Sequence, residues 1–100
     1  MKRRAVRVLR RAQSDLQEIQ RYVERDRPDA ADRLVERILE KIENLERFPE
    51  SGVLARDSRL RALGFRVLVE GECPVFYRLL RAQVRVYRVL HGRRRYRHMI

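Results

Sequence analysis

Residues 73–91 read CPVFYRLLRAQVRVYRVLH, and their period decides the fold. Val75, Tyr77 and Leu79 alternate with Phe76, Arg78 and Leu80. After Arg81-Ala82-Gln83 the alternation resumes, as Val84, Val86, Arg88 and Leu90 against Arg85, Tyr87, Val89 and His91. A period of two, broken once by three residues, describes two strands of an antiparallel hairpin, because successive side chains of a strand point to opposite faces. Both faces carry apolar residues, so the sheet is expected to be covered on one side and to be partly covered, or to bind a partner, on the other.

Toward the N-terminus, Glu70-Gly71-Glu72 marks another short break, and Arg59 to Val69 reads as a further strand, which makes an antiparallel meander of three. Phe48-Pro49-Glu50-Ser51-Gly52 ends the helix before it, since proline restricts its predecessor and glycine frees the backbone for a turn. That helix carries the apolar stripe Ala31, Leu34, Val35, Ile38, Ile42 and Leu45. Pro28 suits its first turn, and Asp29 and Asp32 complement its N-terminal dipole. An earlier helix places Ala12, Leu16, Ile19 and Val23 on one stripe, with Tyr22 at its border. Ser14 and Gln17 have the form of a capping box, but Ala12 already belongs to the stripe, which puts the helix start two or three residues earlier. Ala5 to Leu9 alternates as a short strand. The expected fold is α+β in a single domain, residues 1–100: an N-terminal strand, a two-helix antiparallel hairpin, then a three-stranded antiparallel meander forming one small sheet.

Charge is distributed unevenly over this plan. Residues 51–100 hold 12 arginines against Asp57, Glu70 and Glu72, whereas residues 1–50 hold 13 basic and 11 acidic side chains, so the strand half carries nine of the eleven net positive charges. Such a surface suits a polyanion or an acidic protein partner. The 100 residues, 44% of them hydrophobic, suffice for one core. Cys73 has no second cysteine to pair with, and two histidines and one cysteine without ligand spacing give no zinc site; no metal or cofactor is expected. Met1-Lys2-Arg3-Arg4 opens like a signal peptide, but Arg7, Arg10 and Arg11 interrupt the apolar run that should follow, and no stretch approaches the roughly 18 apolar residues of a membrane span. A cytoplasmic protein with no membrane partner is expected.

Taken in order, Ala12-x-x-Asp15-Leu16-x-x-Ile19-x-x-Tyr22-Val23, Pro28-x-Ala30-Ala31, Ile42-x-x-Leu45-x-x-Phe48-Pro49-x-x-Gly52, Phe76-Tyr77-Arg78 and Arg88-Val89-Leu90-His91-Gly92-Arg93-Arg94 resemble the RelE/ParE superfamily of toxins from type II toxin-antitoxin systems. The resemblance covers almost the whole chain. It implies a toxin neutralised by a cognate antitoxin whose segment orders on binding, with a hetero-oligomer of the two as the inactive form. It also implies one of two activities: poisoning of DNA gyrase, as in ParE-like members, or cleavage of messenger RNA on the ribosome, as in RelE-like members.

Cleavage needs a base for the 2′-hydroxyl, an acid for the leaving oxygen and cations at the phosphate. Arg59, Arg61, Arg78 and Arg94 are the candidates for phosphate, and His91, Tyr96 or His98 for proton transfer. Messenger-cutting relatives usually carry Tyr-Arg ahead of the aromatic pair on the middle strand, where this chain has Cys73-Pro74. Arg78 lies four residues on, roughly 13 Å along a strand. That departure, with Pro28-x-Ala30-Ala31 and the Leu90-His91-Gly92-Arg93 close, brings the chain nearer to ParE. For the antitoxin, apolar anchors are expected near Tyr22, Leu45 and Phe76, and contacts to acidic side chains at Arg78, Arg85 and Arg88. A third reading, a basic nucleic-acid-binding module built on Arg93-Arg94-Arg95-Tyr96-Arg97, ranks below both, because residues 15–50, which carry the helices, hold 7 basic against 11 acidic side chains.

Overall fold

A computed structural model describes residues 4–92. Its elements are β1 (Ala5–Val8), α1 (Arg10–Glu24), α2 (Pro28–Asn44), β2 (Val53–Leu54), α3 (Ser58–Ala62), β3 (Phe65–Glu70), β4 (Cys73–Leu79) and β5 (Gln83–Val89). The expected α+β plan holds, but the meander is the centre of a larger sheet, ordered β1-β5-β4-β3-β2. β1 joins β5 in parallel, pairing Val6 with Val84 and Val8 with Val86. β2 adds only two residues to the far edge, pairing Val53 with Val67, too short a run to show a period in the sequence.

α1 and α2 lie where their apolar stripes predict. α1 begins at Arg10 and has no side-chain cap, so Ser14 sits inside the helix. The Gln13 side-chain amide instead donates to the Val8 carbonyl at 2.9 Å, tying the first turn to β1. α2 opens on Pro28, whose missing N–H costs nothing at that position. Ala12, Ile19, Ile38, Ile42 and Leu45 of this hairpin region pack on Cys73, Val75 and Tyr77 of β4 and on Val84, Val86 and Val89 of β5. A second, smaller core of Ala55, Leu60, Phe65, Phe76 and Leu90 lies on the opposite face of the sheet.

Two expectations about the strands are corrected. Residues 59–62, expected as strand, form the helix α3, because the Asp57 carboxylate accepts from the backbone N–H groups of Arg59 (3.0 Å) and Leu60 (3.1 Å) and caps it. The chain then reverses at Gly64, whose φ of +85° suits glycine, and β3 starts at Phe65. The strict alternation expected along β5 is also broken. Phe76 pairs with Arg88 but Tyr77 pairs with Val86, leaving Tyr87 as an extra bulge residue. Val89 therefore packs with Val84 and Val86 in the helix-side core and not with Arg85 and Tyr87, the residues with which alternation groups it.

Candidate functional site

Three regions carry chemistry. The first is interior. Asp15, on the apolar stripe of α1, receives Arg88 Nε at 2.7 Å and a second guanidinium nitrogen at 2.9 Å. It also accepts the backbone N–H of Val89 at 3.0 Å. β1 ends opposite Val86, so this N–H has no strand neighbour on that side and the carboxylate takes the place of one. Both side chains are about 5% exposed, at 4% and 6%. Hydrogen bonding to Asp15 pushes the Arg88 pKa up, against the opposing effect of burial.

Above this pair lies a cleft of about 570 Å³ between α1 and the end of β5, lined by Ile19, Arg21, Tyr22, Arg25, Glu72 and His91 among others. An adjoining cleft of about 320 Å³ shares Tyr22, Glu72 and His91 and extends toward Leu34 and Arg37 of α2. The rings of Tyr22 and His91 stand 5.3 Å apart at 56°. Tyr22 is 60% exposed, so its ring forms the rim of both clefts.

The third region is the sheet face turned away from the α1–α2 hairpin. Val6, Val8, Val84, Val86, Tyr77 and Leu79 pack toward the hairpin, which turns Arg7, Arg85 and Arg78 to the other face. The register sets them in one row across three strands: Arg7 pairs with Arg85, and Arg85 with Arg78. Phe65 of β3 continues the row beyond Arg78. The Arg78 guanidinium lies 5.7 Å from the Phe65 ring centre and 6.0 Å from that of Tyr87, and reaches the Tyr87 hydroxyl at a long 3.4 Å. Arg85 Nε donates to the Gln83 side chain at 2.6 Å. Among the described residues, no carboxylate lies within 4.0 Å of Arg7, Arg78 or Arg85.

The structure thus separates residues that sequence reasoning grouped. Leu45 (0% exposed), Phe76 (1%) and Arg88 (5%), expected to face a partner, are interior, because periodicity identifies a face but not what covers it. Tyr22, Arg78 and Arg85 do reach the surface. Arg61 is engaged by the carbonyls of Ala55 (2.8 Å) and Arg56 (3.1 Å), where it holds α3 to the preceding loop, and Arg59 is exposed on α3. His91 lies two residues past the end of β5 and six from Arg85, the partner of Arg78, up to about 20 Å at strand rise. Arg94, Tyr96 and His98 lie outside the described residues. Sequence reasoning missed Arg7 and Asp15. Asp15 did carry a signal, an acid three residues after Ala12 and four before Ile19 on the buried stripe, whereas the part of Arg7 depended on a parallel pairing that no local pattern encodes. No group of three or more His, Cys, Asp or Glu side chains is placed to hold a metal ion among the described residues, and no helix there is long and apolar enough to cross a membrane.

Comparison with known proteins gives one consistent result. Residues 6–96 match the family model described as the ParE toxin of the type II toxin-antitoxin system parDE. The chain is 36% identical over 92 residues to Y4kP of Sinorhizobium fredii, whose name marks it as a candidate toxin, and the match covers 92% of both chains. Its fold is similar to that of a chain in the chromosomal ParDE toxin-antitoxin system of P. aeruginosa, with a TM-score of 0.75 at 17% identity over 93% of this chain and all of that one. It is also similar to a chain of the RelBE2 toxin-antitoxin complex of Mycobacterium tuberculosis, with a TM-score of 0.68 at 22% identity, covering 89% and 98% of the two chains.

Proposed function

This chain belongs to the ParE toxin family of type II toxin-antitoxin systems, and from that premise we propose that it arrests growth by poisoning DNA gyrase and is kept silent by a cognate antitoxin. One observation carries the choice of target. Transesterification of RNA needs a proton-transferring group within hydrogen-bond reach of the reacting oxygen and cations on the same phosphate. Here His91 faces Tyr22 beside α1, while Arg78 stands on the other face near the opposite end of β5. Arg61, a further candidate for the phosphate, is engaged by two backbone carbonyls. At the position where messenger-cutting relatives carry an arginine, Pro74 is buried and without charge. A toxin that acts by binding needs no such convergence.

For the antitoxin, the clefts around Tyr22 and His91 supply what a docking segment requires: an exposed aromatic rim, an apolar floor at Ile19 and mixed charges at the edge. Tyr22 is the anchor, since it alone of the three expected anchors is exposed.

The test is a paired assay of the purified chain. Gyrase-linked DNA cleavage and loss of supercoiling, with ribosome-bound message left intact, are the expected results, and adding the antitoxin should restore supercoiling. Clipped message with normal supercoiling overturns the gyrase reading in favour of RelE-like cleavage. Tyr22→Ala should raise the antitoxin concentration needed for rescue by about tenfold or more, as loss of an interface anchor does. An unchanged requirement removes Tyr22 from the interface.

A further inference from the structure

The arginine row has no part in the antitoxin anchor and poses a problem of its own. Like charges directly opposite one another on neighbouring strands destabilise a sheet. Here two such pairs follow in succession, Arg7 with Arg85 and Arg85 with Arg78. At the spacing of neighbouring strands, the three Cα positions span about 10 Å. Two of the guanidinium groups are oriented more than neutralised: Gln83 holds Arg85, and the Phe65 and Tyr87 rings flank Arg78. Among the described residues, no carboxylate offsets them.

Such a row fits a ligand that presents several negative charges in a line. We propose that Arg7, Arg85 and Arg78 form a binding surface for the phosphate backbone of double-stranded DNA. Each guanidinium offers a planar fork of donors that matches a phosphate, and a duplex backbone laid across the strands meets all three. An acidic peptide fits less well. A segment that adds to this sheet runs along an edge, parallel to the strands, and meets Arg7 alone; one that docks by apolar anchors finds its clefts beside Tyr22 and His91, at the far end of β5. Single-stranded nucleic acid also fits less well, because it is held largely by stacking on exposed aromatic rings. On this face Phe65 and Phe76 are 3% and 1% exposed, and the ring of Tyr87 packs edge-on against Phe65 at 5.0 Å. The inference goes beyond the choice of gyrase as target, and it supplies that reading with a contact to the DNA segment that gyrase holds.

The experiment measures binding of the full purified chain to a labelled duplex by fluorescence anisotropy across a salt series. Three proteins are compared: the wild type, the row variant Arg7→Gln/Arg78→Gln/Arg85→Gln, and a control of equal charge change, Arg25→Gln/Arg33→Gln/Arg47→Gln. Removing three phosphate contacts should lower the slope of log K against log salt by about 2.7, and the control should change it by well under one unit. If the row variant loses its fold by circular dichroism, Arg7→Gln at the sheet edge replaces it, with an expected slope change of about 0.9. Equal losses in the row and control variants overturn the proposal. So does a row variant that binds duplex normally, or one that loses only single-stranded DNA, RNA or polyglutamate. The gyrase assay separates the two readings. Row-dependent duplex binding without gyrase inhibition sinks the target assignment alone, and gyrase inhibition with row-independent duplex binding sinks this one alone.

Discussion

Asp15 shows how one side chain can decide what another residue does. It accepts both donors of the Arg88 fork and a backbone N–H, and neither partner of the pair is more than 6% exposed. A buried pair of this kind contributes little compared with an apolar pair of the same volume, but losing one partner leaves a charge without compensation in the core. Asp15→Ala should therefore destabilise the fold by about 3–5 kcal/mol, while a double replacement, Asp15→Leu with Arg88→Met, should recover most of that. Urea unfolding checks both, and a loss below about 1 kcal/mol for Asp15→Ala would show that the pair is solvated. The same contact gives Arg88 an internal role. Read along the chain it is one more arginine on a basic strand, and only its 73-residue separation from Asp15 in sequence, closed by the fold, gives it an internal role.

At the scale of elements, local chemistry overrides period in two places. α3 is five residues long and would not persist alone, since short helices in water lack the hydrogen bonds to offset their nucleation cost. It exists because Asp57 caps it through two N–H groups and Leu60 buries against Phe65 and Phe76. Removing that cap with Asp57→Ala should cost about 1 kcal/mol. The drop should show as a lower urea midpoint with unchanged m-value; no shift would mean that Leu60 holds the helix unaided. In β5 the bulge at Tyr87 lets one strand serve both cores, with Val89 under the helices and Leu90 with Phe76 on the other face. The alternation of residues 84–91 was legible in the sequence, but the extra residue was not, because a bulge is defined by the partner strand. The two long helices, α1 and α2, were legible, since their stripes repeat over four turns and each is bounded by a stop or a start.

At the scale of the whole molecule the helical hairpin and the sheet enclose the larger of the two cores, and Cys73 reports on its integrity. The thiol is fully buried, and its pKa is pushed up to about 11, first by burial and then by Glu72 and Glu70. Burial likewise raises the Tyr77 hydroxyl, which donates to the Pro49 carbonyl at 2.8 Å. For both groups the folded pKa lies above the unfolded one, so their contribution to stability is complete below the unfolded value and is lost as pH rises through the folded one, a window from 9.0 to about 11 for the thiol. Native protein at neutral pH should therefore react with a thiol reagent only as fast as the core opens. Its unfolding free energy should fall above about pH 9, and less steeply in Cys73→Ala. Labelling at pH 8 as fast as in urea would place Cys73 outside the core. The amino-acid order by itself determined the α+β plan, the two helices, the meander and the concentration of charge in the strand half, because each rests on periods and breaks within a few residues. Tertiary structure alone decided that β1 lies beside β5, that Arg88 turns inward to Asp15, and that Arg7, Arg85 and Arg78 share one row. Those relations join residues far apart in the chain, and only packing, which minimises exposed apolar surface and unpaired polar groups together, brings them into contact.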